Sequence, residues 1–330
     1  MKEVLSAGLV AFLHAVSIFA QQGGTPLRLV ATIPLPNVEG RIDHFGVDLQ
    51  GRRLFMSALG NNTVEVFDLK TNQRLHTIPG LHEPQGVLYD PASKKIFVAN
   101  GDDGTSVVFD GATYQVLDTV HFSSDADNVR LDAAAGTIYV GYGEGALGII
   151  EASSGKPLGE IPLPAHPESF QLEKSGLRIF VNVPNASQII VLDRAKRSVV
   201  ARWRLGEYAA NFPIALDEAH HRLFVVTRRP AQLLVFDTGS GKLVAHLAAV
   251  GDSDDVWFDA ALERIYASGG EGFISVFEQT DADHYRALAK IPTAPGARTS
   301  FFSPELGRLY LAVPHRGGQQ CELRIYEVTK

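Results

Sequence analysis

The sequence predicts an all-β fold, a seven-bladed propeller of four-stranded antiparallel blades whose ring is closed by the N-terminal strand. Three observations carry this. An aromatic residue returns at Phe55, Phe97, Tyr139, Phe180, Phe224, Tyr266 and Tyr310, in steps of 41 to 44 residues. Self-similarity at such a period marks propeller blades or solenoid coils. An acid closes an apolar run seven times, at Asp68, Asp110, Glu151, Asp193, Asp237, Glu278 and Glu327. The last copy ends at Lys330 without a fourth strand, while the chain opens with a strand that has no blade of its own.

Taken in order, residues 1–20 read as a secretory leader: Met1-Lys2 is a short basic start and residues 4–20 are apolar. The apolar stretch is short for a membrane span. Residues 21–330 then form one propeller domain, with repeats starting near 41, 82, 124, 165, 209, 252 and 295. The strand over 27–36 resembles the fourth strand of the other repeats, and completes the last blade. In the first repeat, Phe45–Asp48 alternates, Arg53–Ala58 is apolar, Val64–Asp68 is a third strand and Leu75–Ile78 a fourth, each bounded by Gly, Asn or Asp turns. Closing the sheet into a ring removes exposed edges.

Composition fits this and excludes other classes. With 45% hydrophobic and 20% charged residues, the chain is an ordinary globular one with a large core. A net charge of -7 without a Lys/Arg cluster argues against a nucleic-acid partner. The single Cys321 forbids an internal disulfide and reads as a small buried hydrophobe.

The repeat phrase, a strand such as Lys95-Ile96-Phe97-Val98-Ala99-Asn100 followed by a Val-x-Val-hydrophobic-Asp strand, resembles the YVTN-type, YncE-like family of exported bacterial propellers. The resemblance spans nearly all of residues 27–330. It implies a periplasmic or secreted propeller, with no assigned reaction and no membrane span once the leader is removed.

Function in such a ring concentrates at the loops that lead into the innermost strands, where a rigid scaffold positions them. Aligned there, one column reads Asp43, Gln85, Asp127, Glu168, Phe212, Asp254 and Thr299. The next contains His44, Asn128 and Asp255, and the one before contains Asn211 and Arg298. Carboxylates gathered on one axis raise one another's pKa unless a cation, water or basic partners are present. Two readings stay open. In one, Asp43, Asp127, Glu168 and Asp254 hold a divalent cation such as Ca²⁺, helped by Asn128 and Asn211. In the other, the acids line a polar channel mouth balanced by His44, His166 and Arg298. His315 and Arg316 add a basic corner, able to hold an anionic group or to balance the rim.

Familiar motifs fail on context. Gly143–Gly148 fits G-x-G-x-x-G but joins two strands of a hairpin and opens no helix. No G-x-S-x-G elbow, haem-attachment motif or H-E-x-x-H motif occurs. The favoured expectation is therefore a binding propeller, holding a small polar ligand, a peptide or a partner protein over the axial mouth. The competing one is a metal-assisted hydrolase or lyase of the lactonase-propeller kind, with His44 or His166 as general base. A third is a cell-envelope scaffold.

Overall fold

The structure, a computed structural model, describes residues 24–330. The leader expected over 1–20 lies outside them. Seven four-stranded antiparallel sheets follow one another along the chain. Six are made of consecutive strands. The seventh takes Ser300–Ser303, Arg308–Val313 and Glu322–Val328 from the C-terminus and Leu27–Pro34 from the N-terminus. Leu27 stands opposite Val328 and Pro34 opposite Glu322. The strand ends before the expected residue 36, although Leu35 N–H still bonds Cys321 O at 2.8 Å.

Burial follows the position of each strand in its blade. Second strands, such as Arg53–Ala58 and Lys95–Asn100, are buried almost throughout, whereas fourth strands, such as Gln73–Ile78, face solvent. The repeated aromatic explains what the second strand does. Phe55 packs with Val87, Ile96 and Val98 of the next blade. Phe97 meets Val129 and Val140, and Tyr139 meets Phe170 and Ile179. Phe180, Phe224 and Tyr266 repeat the contact around the ring, and Tyr310 closes it against Leu54 and Met56 of the first blade. Each aromatic is thus a bolt between a blade and its successor. Fully burying such a side chain contributes about 1.5–3 kcal/mol.

The acid that ends each third strand is a turn device in four of the seven cases. Asp68 Oδ1 accepts the N–H groups of Lys70 and Thr71 and the Thr71 hydroxyl. Asp110 does the same with Ala112 and Thr113, and Asp237 with Ser240. Asp193 accepts from Lys196 N–H at 2.9 Å. These bonds hold the carboxyls of all four below the usual range. The longer Glu278 and Glu327 pair instead with Arg286 and Arg28 on the neighbouring strand.

On the face away from the axial mouth, the exposed Asp283 accepts from Arg222 at 2.6 Å, and the exposed His220 pairs with Asp217 at 2.8 Å. Cys321 is buried as expected, and burial pushes its thiol up to about 12. No helix among the described residues is long and apolar enough to cross a membrane.

Candidate functional site

The mouth is shaped by backbone irregularities at the start of the inner strands. The pairing of inner and second strands shifts register between Pro84 and Val87, Ala126 and Val129, Asn211 and Ile214, and Ser253 and Asp255. Each shift follows a residue in the left-handed region, Glu83, Asp125, Ala210 or Asp252. A bulge of this kind releases residues from the ladder and re-aims their side chains. It releases Gln85, Asp127, Phe212 and Asp254 to the axis. Beneath them the blades touch backbone to backbone: a Cβ on Gly86 would lie 2.3 Å from Asp127 O.

The result is an axial cavity of about 570 Å³, lined among others by Arg41, Asp43, Gln85, Asp127, Glu168 and Asp254. Its floor is organised by His44. The ring Nε2 stands 3.6 Å from Asp43 Oδ1, 3.8 Å from Asp127 Oδ1 and 3.1 Å from Asn128 Nδ2. Nδ1 stands 3.6 Å from Asp255 Oδ1. Burial disfavours charge on this ring, yet Asp43, Asp255 and Asp127 together push it up to about 10. Burial likewise raises Asp43 to about 6, with Asp254 and Asp127 adding to the rise and His44 and Arg41 opposing it.

One wall is a lattice of arginines and acids. Asp254 accepts from Arg228 at 2.5 Å and from Arg298 at 2.7 Å, and Asp252 lies 3.1 Å from Arg298. The Arg228 guanidinium sits 3.7 Å above the Phe212 ring. The opposite wall is less satisfied. His166 Nδ1 lies 2.7 Å from Gly143 O, and its Nε2 lies 4.0 Å from Asp127 Oδ2. Burial opposes charge on His166, and Asp127 and Gly143 O outweigh it, raising the ring to about 9. Glu168 is pushed well above its ordinary value by burial, then by Asp127 and Asp254. Asp127 itself moves down, because His166 and His44 outweigh its burial.

The structure thus brings together Asp43, His44, Gln85, Asp127, Asn128, His166, Glu168, Asp254 and Arg298. Asn211 is not among them. It is fully buried, and its amide bonds Asn182 Oδ1 and Gln188 O, so it ties two blades together beneath the rim. Asp255 lies under the floor, accepting from Ser300 N–H at 2.8 Å. His315 and Arg316 line a separate hollow of about 330 Å³ that shares Arg41 and Arg298 with the main cavity. The four-carboxylate cation set does not assemble either. Arg228 and Arg298 take Asp254, while Arg41, at 3.0 Å, and His44 take Asp43. The ligand-bearing atoms that converge within 4.8 Å among the described residues are those of Asp127, His166 and Glu168. Arg41, Glu83 and Asn185 also line the cavity, and alignment to the inner strand alone passes over them.

Charge of both signs in a partly enclosed cavity suits a small ligand with several hydrogen-bonding groups and repels an apolar one. No family model matches the chain, and no curated protein matches it. Solved structures do. A chain of a mitotic checkpoint complex is similar over 100% of this chain and 99% of its own, with a TM-score of 0.78 at 12% identity. Hydrazine synthase of Kuenenia stuttgartiensis is similar over 89% and 96%, at 0.74 and 15%. The β-propeller domain of Cps50 (Swd1) of Myceliophteria thermophila is similar over 92% and 100%, at 0.72 and 14%. At these identities the likeness concerns the fold.

Proposed function

We propose that this propeller is a binding protein that takes a small polar ligand into the axial cavity. The observation that carries the reading is Glu168. Polar groups turned away from bulk solvent have partners as a rule, and its neighbours Asp43, Asp127 and Asp254 all do. The half-buried Glu168 carboxyl has no hydrogen bond from the described residues, and faces a cavity of about 570 Å³ whose contents would supply one. That volume lies in the range of small-molecule sites, roughly 300–1,000 Å³.

Export to the periplasm or outside the cell belongs to the same proposal, resting on the apolar run over residues 4–20 and on the YVTN-type repeat phrase. Mass spectrometry of protein recovered from an expressing bacterium tests it. A mature N-terminus at Gln21 supports export, and retention of residues 1–20 in the cytosol refutes it.

Ligand binding is tested by thermal shift with panels of amino acids, sugars, polyols and organic acids. A ligand at about 100 times its Kd stabilises by about 2.7 kcal/mol, a shift of several degrees for a chain of this size. Asn185→Trp is the control, because the exposed Asn185 lines the cavity and the indole would occupy it. A shift seen in the native protein and lost in this variant supports the reading. No shift from any panel, or shifts that survive the variant, overturns it.

A second reading, metal-assisted hydrolysis or elimination, is favoured by the convergence of Asp127, His166 and Glu168. A cation there would polarise a carbonyl of the bound ligand.

A further inference from the structure

We propose that Asp127, His166 and Glu168 form a three-ligand site for a first-row divalent cation of the zinc type, with a coordination position open to the axial cavity. The proposal rests on the reading of this cavity as a ligand site, and goes further by naming what binds first.

The geometry of His166 is the first argument. Its Nδ1 lies 2.7 Å from Gly143 O, and a carbonyl oxygen only accepts. Nδ1 must therefore carry a proton whatever the charge of the ring, which leaves Nε2, turned toward Asp127 Oδ2, as the nitrogen able to give its place to a cation. Metal-binding imidazoles are oriented in this way, by donating their other N–H to a carbonyl or carboxylate. The Gly143 carbonyl is held in place by the hairpin that resembles a phosphate loop in sequence only. Gly143 has φ 60°, and a Cβ there would lie 2.5 Å from Ser123 Oγ, so glycine lets the turn present the carbonyl without displacing Ser123.

The second argument is spacing. Nε2 and Oδ2 are 4.0 Å apart, too far for a hydrogen bond. Two ligands held about 2.0–2.2 Å from one tetrahedral ion stand roughly 3.3–3.6 Å apart, so a small inward movement completes the pair. Asp127 is buried to 4% exposure, and its Oδ1 is engaged by Asn128 Nδ2 at 3.3 Å, leaving Oδ2 free of hydrogen bonds to meet the ion. Glu168 is the third ligand and has no competing donor.

The donor set selects the ion. Calcium takes six to eight oxygens, and this corner offers two carboxylates and an imidazole. Imidazole with carboxylate suits zinc, cobalt, iron or manganese.

The test uses the purified chain, stripped with chelator, and the metal alone. Calorimetric titration with Zn²⁺ should show one equivalent bound, and Co²⁺ should give an intense visible band of tetrahedral coordination. His166→Ala and Glu168→Gln should each lose affinity at least about 100-fold, beyond the loss that follows removal of an outer hydrogen-bonding partner. His166→Ala should also lose the cobalt band. Glu144→Gln changes a rim carboxylate outside the trio and should leave binding intact. Should His166→Ala fail to fold, Glu168→Gln decides. Absence of stoichiometric uptake, uptake that survives either substitution, or equal competition by Ca²⁺ overturns the proposal. If the metal fails while a polar ligand still shifts the native protein and not Asn185→Trp, the cation site falls and the ligand cavity stands. If no ligand shifts it either, both readings fall.

Discussion

The seams between blades and the axial mouth are built from the same repeat by opposite rules. At the seams, every blade contributes the same thing: an aromatic on the second strand, packed against the next blade. At the mouth the blades diverge, and equivalent positions hold Asp43, Gln85, Asp127, Glu168, Phe212, Asp254 and Thr299. The acids show the contrast most directly. The four aspartates that end third strands cap turns and are easily ionised, whereas Asp43 and Glu168 are held back from ionising by burial. Sevenfold regularity marks what holds the ring. Departure from it marks where the ring is specialised.

The largest expected effect belongs to the seams. Phe97→Ala should cost about 3–5 kcal/mol, read as a lower midpoint of guanidinium unfolding. A loss under 1 kcal/mol would mean that the seams do not hold the ring, and the contrast would fail. Next comes the arginine wall. Removing Arg228 and Arg298 together leaves the buried Asp254 without a counter-charge, at a cost of about 2–3 kcal/mol. Adding Asp254→Asn to that double variant should recover most of the loss; if it recovers nothing, the arginines act through packing alone.

The pH dependence separates the two regions by sign. Asp43 has a folded pKa of about 6, above its ordinary 3.8, so the folded protein keeps a proton that the unfolded chain gives up. Its contribution is fully present below pH 3.8 and is lost as the pH rises through about 6. The turn acids run the other way: their support is present above the ordinary value and is lost as the pH falls through their depressed pKa. Melting curves in chelator should therefore show Asp43→Asn flattening the slope between pH 4 and 6, while Asp110→Asn flattens only the slope below pH 4. An equal change of slope between pH 4 and 6 in the two variants would refute the division. The smallest effect is expected at Glu327, an acid of the recurring column that caps no turn and pairs with Arg28 in the open. Glu327→Gln should change stability by less than about 0.5 kcal/mol, and a larger loss would place it among the turn devices.

The regular part of this molecule was legible in its residues. Phe45–Asp48 and Arg53–Ala58 are strands with the bounds their alternation predicts, and the unmatched first strand lies where the incomplete last blade needs it. Repetition supplied seven independent readings of one pattern. The mouth has no such redundancy. Its alignment column holds Asp127 and Glu168, which line one cavity, but side-chain partnership depends on bulges and left-handed residues that a column of letters does not show. Asn211 stands one position from the mouth and turns away into Asn182. His166, outside the cation set drawn from the column, reaches the ligand corner because Gly143 O aims it there.

The joining of the two chain ends has a consequence for how the molecule comes into being. Arg28 and Glu327 touch across 299 positions of sequence. A ribosome delivers the first long before the second, so the opening strand waits unpaired through almost the whole of synthesis. Contacts this distant are slow to form, and the sheet edge left open meanwhile invites association with other chains. Blades one to six can each assemble as they emerge, but the last step is a clasp that waits for Glu322–Val328. Truncating a few C-terminal residues would therefore do more than shorten a strand: it would leave the opening strand with nothing to fasten to.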